Sequence, residues 1–546
     1  MPDVSNLPAD SAASVFPASA HAAPPAAGPA AQNGAQWLLR SAAASGLRVC
    51  FANPGTTELP FVAALDHVPQ VRPILSLFEG VCSGAADGYF RISRMPAMTL
   101  THLGPGFANA IANLHNARRA RSRILNVIGE HMSWHLSADP PLASDIESLA
   151  RPVSAGVWRA DSMANLQSGV QSALREVLRP DGGIASLVLP MDMQQGAADW
   201  GPAAVACAPA RGVFDESAVH TLAQTIRQGQ RVLLFLGAGA MTTEALTQAS
   251  RFAQLDNVDL IGETFPARSE HGGGLPSIRR FSYLAEQGHP YLLEYARVAL
   301  VDALPPVAFF GAQGYPSYLG DPARMTTLSE PGGGGLAALR RLADSLGLQP
   351  ARLQAPARIS DAGLSDDLTA AAAAQVIAAN LPDQAIVSVE GGTIGFPFNA
   401  MASQAARHST IVMTGGAIGQ GLPAAFGASI AAPDRKVVAL QSDGSALYTA
   451  QALWSMARER ANVVVVIAAN RRYQVLQNEM QRTGHVLQRP DVQALLDLSG
   501  PSVDWVQLSR SLGVPAAKAT TTSELRRLFH QAVAEPSPFL IEAVLP

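Results

Sequence analysis

The stretch from Val437 to Tyr473, VVALQSDGSALYTAQALWSMARERANVVVVIAANRRY, constrains this chain more than any other. Apolar, β-branched runs at 437–441 and 463–468 read as strands, Ser442-Asp443-Gly444-Ser445 as a tight turn, and 449–460 as a helix. A crossover between parallel strands is nearly always right-handed and returns the second strand beside the first. Asp443 and Asn470 therefore stand at one carboxyl edge. There the Asp443 carboxylate, the Asn470 amide oxygen and the Arg472 main-chain carbonyl offer hard oxygens to Mg²⁺, while the Gly444 and Ser445 amides at a helix start suit an anionic phosphate. An Asp-Gly-Ser tripeptide is also what an ordinary capped strand-to-helix turn looks like, so the reading needs support from elsewhere in the chain.

Asp443-Gly444-Ser445, followed after a helix and an apolar strand by Asn470, resembles the cofactor signature of the thiamine-diphosphate enzymes, in particular the group of acetolactate synthase large subunits and benzoylformate decarboxylase. That family usually has Gly where this chain has Ser442 and often a second Asn where it has Ala469; neither change removes a metal ligand. The resemblance begins near residue 34 and implies an α/β fold of three doubly wound parallel-sheet domains. They are a pyrimidine-binding domain (34–200), a middle domain (212–346) and, after a linker rich in Pro, Ala and Ser (347–367), a diphosphate-binding domain (368–546). With 546 residues the chain has room for all three.

Composition narrows the partners. Charged residues make up 15% of the chain and the net charge is −4, so no basic field points to nucleic acid or to an anionic membrane surface. No charge-free apolar run reaches the ~18 residues of a membrane span. Residues 1–33, rich in Ala, Pro and Ser, lack the basic start and apolar core of a signal peptide and the Arg of a transit segment; they are expected to form a disordered extension. Cys50, Cys82 and Cys207 show no CxxC or metal-ligand spacing, which fits buried thiols of a cytoplasmic protein without disulfides.

In the first domain a strand at 74–78 is expected to deliver Glu79, and one at 97–101 to reach His102 before Gly104-Pro105-Gly106. The resemblance aligns FEGVCSGAADGY with the segment whose glutamate, here Glu79, hydrogen-bonds the aminopyrimidine ring, where a carboxyl in apolar surroundings can share a proton with the ring nitrogen. A bare helix N-terminus would also favour an acid there. In the benzoylformate decarboxylase branch a histidine at the place of His102 lies near the substrate carboxylate, with a small hydroxyl residue at the place of Thr56; a second, middle-domain histidine of that branch has no counterpart in Gly311–Tyr315. His131 and His135 lie in a loop that could border the pocket, and without an HExxH pattern they do not read as zinc ligands.

In the middle domain, Gly237-Ala238-Gly239-Ala240 lacks a complete GxGxxG and reads as a tight turn. The acetolactate synthases bind a flavin in this domain, so FAD is possible, but no motif here supports it. In the third domain the resemblance gives Gly391, Gly392 and Thr393 contacts to diphosphate and pyrimidine and makes Ile418 the apolar wedge that bends the cofactor. It places Gly416, Gly444, Ser445, Tyr448 and Tyr473 against the cofactor and Leu476 against the substrate; Val475 reads equally as cavity wall or core.

Together with these features the resemblance implies a thiamine-diphosphate and Mg²⁺ dependent enzyme that decarboxylates a 2-oxo acid. The resulting enamine is protonated or added to a second carbonyl. Acetolactate-synthase-like carboligation and benzoylformate-decarboxylase-like decarboxylation both stay open, with a catalytically silent cofactor-binding paralogue as the reading of another class. Because the family's cofactor lies between the first domain of one subunit and the third domain of another, a homodimer or homotetramer is implied.

Overall fold

Apolar runs separated by helices of small residues build three sheets in the computed structural model, which describes residues 32–207, 212–350 and 352–546. Six parallel strands form the first: β1 (Val49–Asn53), β2 (Arg72–Leu75), β3 (Ala97–Thr101), β4 (Ile124–Glu130), β5 (Gly156–Arg159) and β6 (Ala185–Pro190), in the order β2-β1-β3-β4-β6-β5. The middle sheet holds β7 (Val232–Leu236) and β8 (Val258–Gly262). After β9 (Ser269–His271) leaves it, β10 (Arg297–Val301) and β11 (Met325–Ser329) complete the order β11-β10-β7-β8. The third sheet adds β12 (Ala385–Val389), β13 (His408–Val412), β14 (Val437–Ser442), β15 (Val463–Ala469), β16 (Ala516–Ala519) and β17 (Phe539–Val544), in the order β16-β17-β15-β14-β12-β13-β9. Its central strands are buried along their length, as parallel strands covered on both faces must be, which is why they read as unbroken Val/Ile/Ala runs.

Four local expectations are corrected. β2 ends at Leu75 rather than Phe78, because the chain bends after the Ser76 N–H bonds the Ala52 carbonyl, and Glu79 becomes the first residue of the Glu79–Ser93 helix. The helix expected at 449–460 starts earlier and is broken, running as Asp443–Ala446, a 3₁₀ turn Leu447–Thr449, then Ala452–Arg458. β9, from the segment assigned to the middle domain, pairs antiparallel with β13, held there by the Ser409 hydroxyl on the Glu270 carboxylate (2.9 and 3.0 Å) and by Arg268 on the Arg91 and Ile92 carbonyls. Cys207 is exposed, whereas Cys50 and Cys82 are buried.

Residues 1–31 of the expected extension lie outside the described residues, but Gln32 and Asn33 belong to the fold. Asn33 and Gln36 cap the Gly34–Ala44 helix reciprocally, and Gln32 donates to the Ala198 and Trp200 carbonyls. Among the described residues no helix is long and apolar enough to cross a membrane.

The first and third sheets are locked together through two helices, Glu79–Ser93 and Gly421–Ala431, whose small residues let their backbones touch. One buried cluster runs from Val49 and Phe51 through Val81, Ala85 and Phe426 into Val437 and Val463. The contact leaves no room for side chains: a Cβ on Gly88 would lie 2.1 Å from the Ala424 carbonyl oxygen, and one on Gly427 1.8 Å from that of Ala85. Gly88→Val should therefore lower the thermal midpoint by several degrees, the effect of the ~1–3 kcal/mol that overpacking costs. Gly201→Val, where nothing lies within 4 Å, should leave it unchanged, and differential scanning fluorimetry of the two variants checks the contrast.

Candidate functional site

At the carboxyl edge of the third sheet, β14 and β15 run side by side with Ser442 opposite Ala468, which brings the Asp443 turn against the segment after β15. The buried Asp443 carboxylate accepts from the Gly444 N–H (2.9 Å) and the Arg471 N–H (2.6 Å). Arg471 presents that N–H from the left-handed region, φ +56°, a strained setting for a residue with a side chain. Burial pushes the Asp443 carboxyl up, and these two amides draw it back. Asn470 donates to the Thr393 hydroxyl (3.5 Å), and its side-chain oxygen accepts from the Arg472 N–H at 3.3 Å.

These donors fit a hard divalent cation, supplying a carboxylate, an amide oxygen and a nearby main-chain carbonyl. Among the described residues no group of three His, Cys, Asp or Glu could hold a metal, so a cation here depends on amide and backbone oxygens beside Asp443. Glycine lets the backbone pack closely at this edge. A Cβ on Gly391 would lie 2.6 Å from the Gln441 backbone, and one on Gly444 2.9 Å from the Tyr473 ring.

The loop from Gly415 to Gly421 hangs between the two domains. On one side Asn113 and Asn116 donate to the carbonyls of Gly419 (3.3 Å) and Ala417 (2.7 Å). On the other, the Glu390 carboxylate accepts from the Gly419 N–H (2.6 Å) and the Gly421 N–H. Burial pushes the Glu390 carboxyl up to about 7, against the pull of those amides and of Ser445. Gly416 (φ +81°) and Gly419 (φ +97°) adopt the left-handed turns that place Ile418 at the loop's tip, half-buried.

At the edge of the first sheet, Glu79 is 6% exposed, and its two carboxylate oxygens each accept one amide, from Asn53 and from Asn109, both at 3.0 Å. His102 follows β3 as the N-cap residue of the Leu103–Arg119 helix, its Nδ1 2.7 Å from the Glu58 carboxylate. The adjoining threonines divide differently from the sequence expectation: Thr56 is exposed, and it is the Thr57 hydroxyl that sits 3.3 Å from His102.

Residues 32–148 match the model of the thiamine pyrophosphate enzyme, N-terminal TPP binding domain, and residues 392–543 that of the C-terminal TPP binding domain. Over 520 residues, 94% of this chain and 99% of the relative, the sequence is 42% identical to a Mycobacterium tuberculosis protein provisionally named acetolactate synthase large subunit IlvX. The chain belongs to the thiamine pyrophosphate enzyme family. It is also 28% identical to the benzoylformate decarboxylase of Pseudomonas aeruginosa over 530 residues, 91% of this chain and 96% of that one. The thiamine diphosphate-dependent 4-hydroxybenzoylformate decarboxylase of Rhodococcus jostii RHA1 shares the fold with a TM-score of 0.81 at 24% identity, covering 94% and 99% of the two chains.

Of the residues singled out from the sequence, Asp443, Asn470, Arg472, Gly444, Ser445 and Thr393 gather at one edge, joined by the contacts above, with Gly391 and Gly392 opening the adjoining helix. Tyr473 packs on Gly444 with Tyr448 beside it, and Tyr448 (53%), Leu476 (46%) and Val475 (65%) are exposed, so Val475 is not a core residue of the single chain. Within the thiamine pyrophosphate enzyme fold the middle-domain turn after β7 is occupied from inside. Asp302, at φ +51° beyond β10, puts a carboxylate oxygen 2.2 Å from where a Gly239 Cβ would stand. This is the switch point at which such a sheet would receive a dinucleotide phosphate, and it holds the chain's own acid instead.

Asn53, Asn109, Glu58 and Glu390 join these clusters although no sequence motif marks them. The available signal was position, since each acid follows a strand end and precedes a turn or helix. Glu390 also makes a pH prediction. A carboxyl whose folded pKa lies above its unfolded value contributes stability below the unfolded value that is lost as pH rises through the folded one. Between pH 5 and 8 the thermal midpoint of cofactor-free wild type should thus fall more steeply than that of Glu390→Gln, as parallel melts would show.

Proposed function

We propose that this thiamine pyrophosphate enzyme is Mg²⁺-dependent and decarboxylates a small 2-oxo acid, releasing an aldehyde or joining the acyl unit to a second carbonyl in the manner of an acetolactate synthase. The observation that carries the reading is the knot at the third sheet's edge, where the Asp443 carboxylate, at the end of one parallel strand, accepts the N–H of Arg471, the residue next to Asn470 at the end of its neighbour. Asp443, Asn470 and the Arg472 carbonyl hold the cation, and Gly391, Gly392, Thr393, Gly444 and Ser445 meet the diphosphate. Gly416, Tyr448 and Tyr473 flank the cofactor, and Ile418 presses against it. Thiamine diphosphate supplies a carbon nucleophile for the keto group and an electron sink for the loss of CO₂.

Glu79 holds the proton shared with the pyrimidine ring. Asn53 and Asn109 keep its two oxygens fixed, so its carboxyl meets the ring in one orientation. His102, with Thr56 and Leu476, faces the substrate. The 42% identical relative supports the carboligating outcome through its name, whereas the His102–Glu58 pair supports a benzoylformate-decarboxylase-like outcome. A silent paralogue is disfavoured by the presence of Glu79, Asp443 and Asn470 together.

The oligomer implied is a homodimer or homotetramer. Among the described residues the Glu79 carboxylate bonds first-domain amides and the Asp443 carboxylate third-domain ones, and exposed Leu77 beside the first and Leu447 and Tyr448 beside the second form a surface a second copy would cover. Buried Cys50, its thiol pushed up to about 12 by burial, and buried Cys82 support a cytoplasmic setting.

The deciding assay supplies thiamine diphosphate and Mg²⁺ with pyruvate, benzoylformate or longer 2-oxo acids and follows CO₂, aldehyde and acyloin. Turnover of none of them would leave the silent paralogue standing. Glu79→Gln should lower turnover by ~100-fold or more while calorimetry shows cofactor affinity little changed. Asp443→Ala should weaken that affinity by at least ~100-fold; undiminished binding would sink the metal assignment.

A further inference from the structure

A second buried acid lies at the carboxyl edge of the first sheet. Glu58 closes the Thr56–Glu58 turn after β1 and is fully buried. A carboxylate withdrawn from water needs donors or a counter-charge, and those of Glu58 are all close by. The Gly55 N–H donates to Oε2 (2.8 Å), the Thr57 hydroxyl to Oε1 (2.7 Å), and His102 Nδ1 stands 2.7 Å from Oε2. His102 is its ion-pair partner, and among the described residues no Arg or Lys pairs with it. β4 makes room: a Cβ on Gly129 would lie 1.5 Å from Glu58 Oε1.

These contacts define the histidine as well. The Thr57 hydroxyl directs its proton to Glu58, so toward His102 Nδ1, 3.3 Å away, it can only accept. With two acceptors facing it, Nδ1 carries a proton, a tautomer assigned from the network. The ring lies flat on the turn, since a Cβ on Gly55 would meet three ring atoms at 2.2–2.4 Å, and Leu103 follows at φ +51°. Nε2 is then the nitrogen left for a ligand, on a side chain 25% exposed.

We propose that Glu58 is a positioning residue that fixes His102 as the Nδ1–H form with Nε2 toward the substrate, and serves as counter-charge when Nε2 carries a proton, so that the imidazole can pair with the carboxylate of a 2-oxo acid. The proposal rests on the 2-oxo acid reading given above. It separates Glu58 from Glu79: Glu79, bound by neutral amides, serves the cofactor, and Glu58, bound to the imidazole, serves the substrate.

Glu58→Gln keeps the volume and reverses the hydrogen-bond sense at one atom. Its kcat/KM for the 2-oxo acid should fall about 100-fold, with thiamine diphosphate affinity and thermal midpoint little changed, and Glu58→Asp should recover part of the loss. Histidine ¹⁵N spectra of the wild-type protein, with the His102 signals identified by their loss in His102→Ala, should show Nδ1 protonated and Glu58→Gln should alter that pattern. Adding Glu58→Gln to His102→Ala should cost nothing more. Full activity of Glu58→Gln beside a crippled His102→Ala, a further loss in the double variant, or an unprotonated wild-type Nδ1 would each overturn the assignment. Wild-type kinetics of His102→Ala would instead remove the substrate role of His102 itself. Should Glu58→Gln fail to fold, Glu58→Asp and the wild-type spectrum still decide.

Discussion

The buried pair Asp87–Arg91 is the interaction that joins the first domain to the third within the chain. Both side chains are almost wholly withdrawn from solvent, so each must be satisfied inside the protein or the helix that carries them is destabilised. They are: Arg91 grips Asp87 with two nitrogens (2.9 and 2.7 Å) and reaches across the domain boundary to the Val412 carbonyl (2.5 Å) and the Thr414 hydroxyl (3.1 Å). Ser122 and Gln420, one from each domain, complete the shell of Asp87. The same helix begins with Glu79, and Thr414 and Gln420 bracket the glycine loop that carries Ile418. One ion pair thus ties the helix that starts at Glu79 to the loop of the same chain, and so sets how its first and third domains sit together.

Removing either partner would strand a charge and cost more than the pair is worth as an attraction, which is the asymmetry of buried ion pairs. The glycine contacts of the helix pair act in the same direction. With backbone against backbone at Gly88 and Gly427, the helices have one packing distance available, and the polar joint and the steric joint select the same arrangement.

How much of this could be read from residues alone follows from range. Asp443 and Asn470 were legible because one strand–helix–strand crossover joins them and its handedness is nearly invariant; the strands around them announced themselves as β-branched runs. Glu79 was legible through a local motif. The partners that give these groups their setting were not: Asn53 and Asn109 reach Glu79 from separate elements, and Glu390 meets Gly419 and Gly421 only after β13 and a turn intervene. Periodicity cannot reveal a contact of that kind. The departure of β9 to the third sheet was equally invisible, since three residues carry too little pattern and the polar ties that hold them, Glu270 to Ser409 and Arg268 to the Arg91 carbonyl, are tertiary.

The distribution of burial divides the labour within the site. Asp443, Gly444, Ser445, Gly391 and Glu79 are buried, the condition under which the proposed cofactor contacts would keep one geometry. The Gln474–Thr483 helix beside them has no buried residue and is tied to the middle domain by Arg482 on Glu286. Leu476 and Val475 project from that exposed helix, and His102 keeps a quarter of its side chain accessible. Groups held on several sides keep one geometry, whereas side chains on an exposed helix can change rotamer at little cost, so the rigid and the adjustable parts of this edge are carried by different elements.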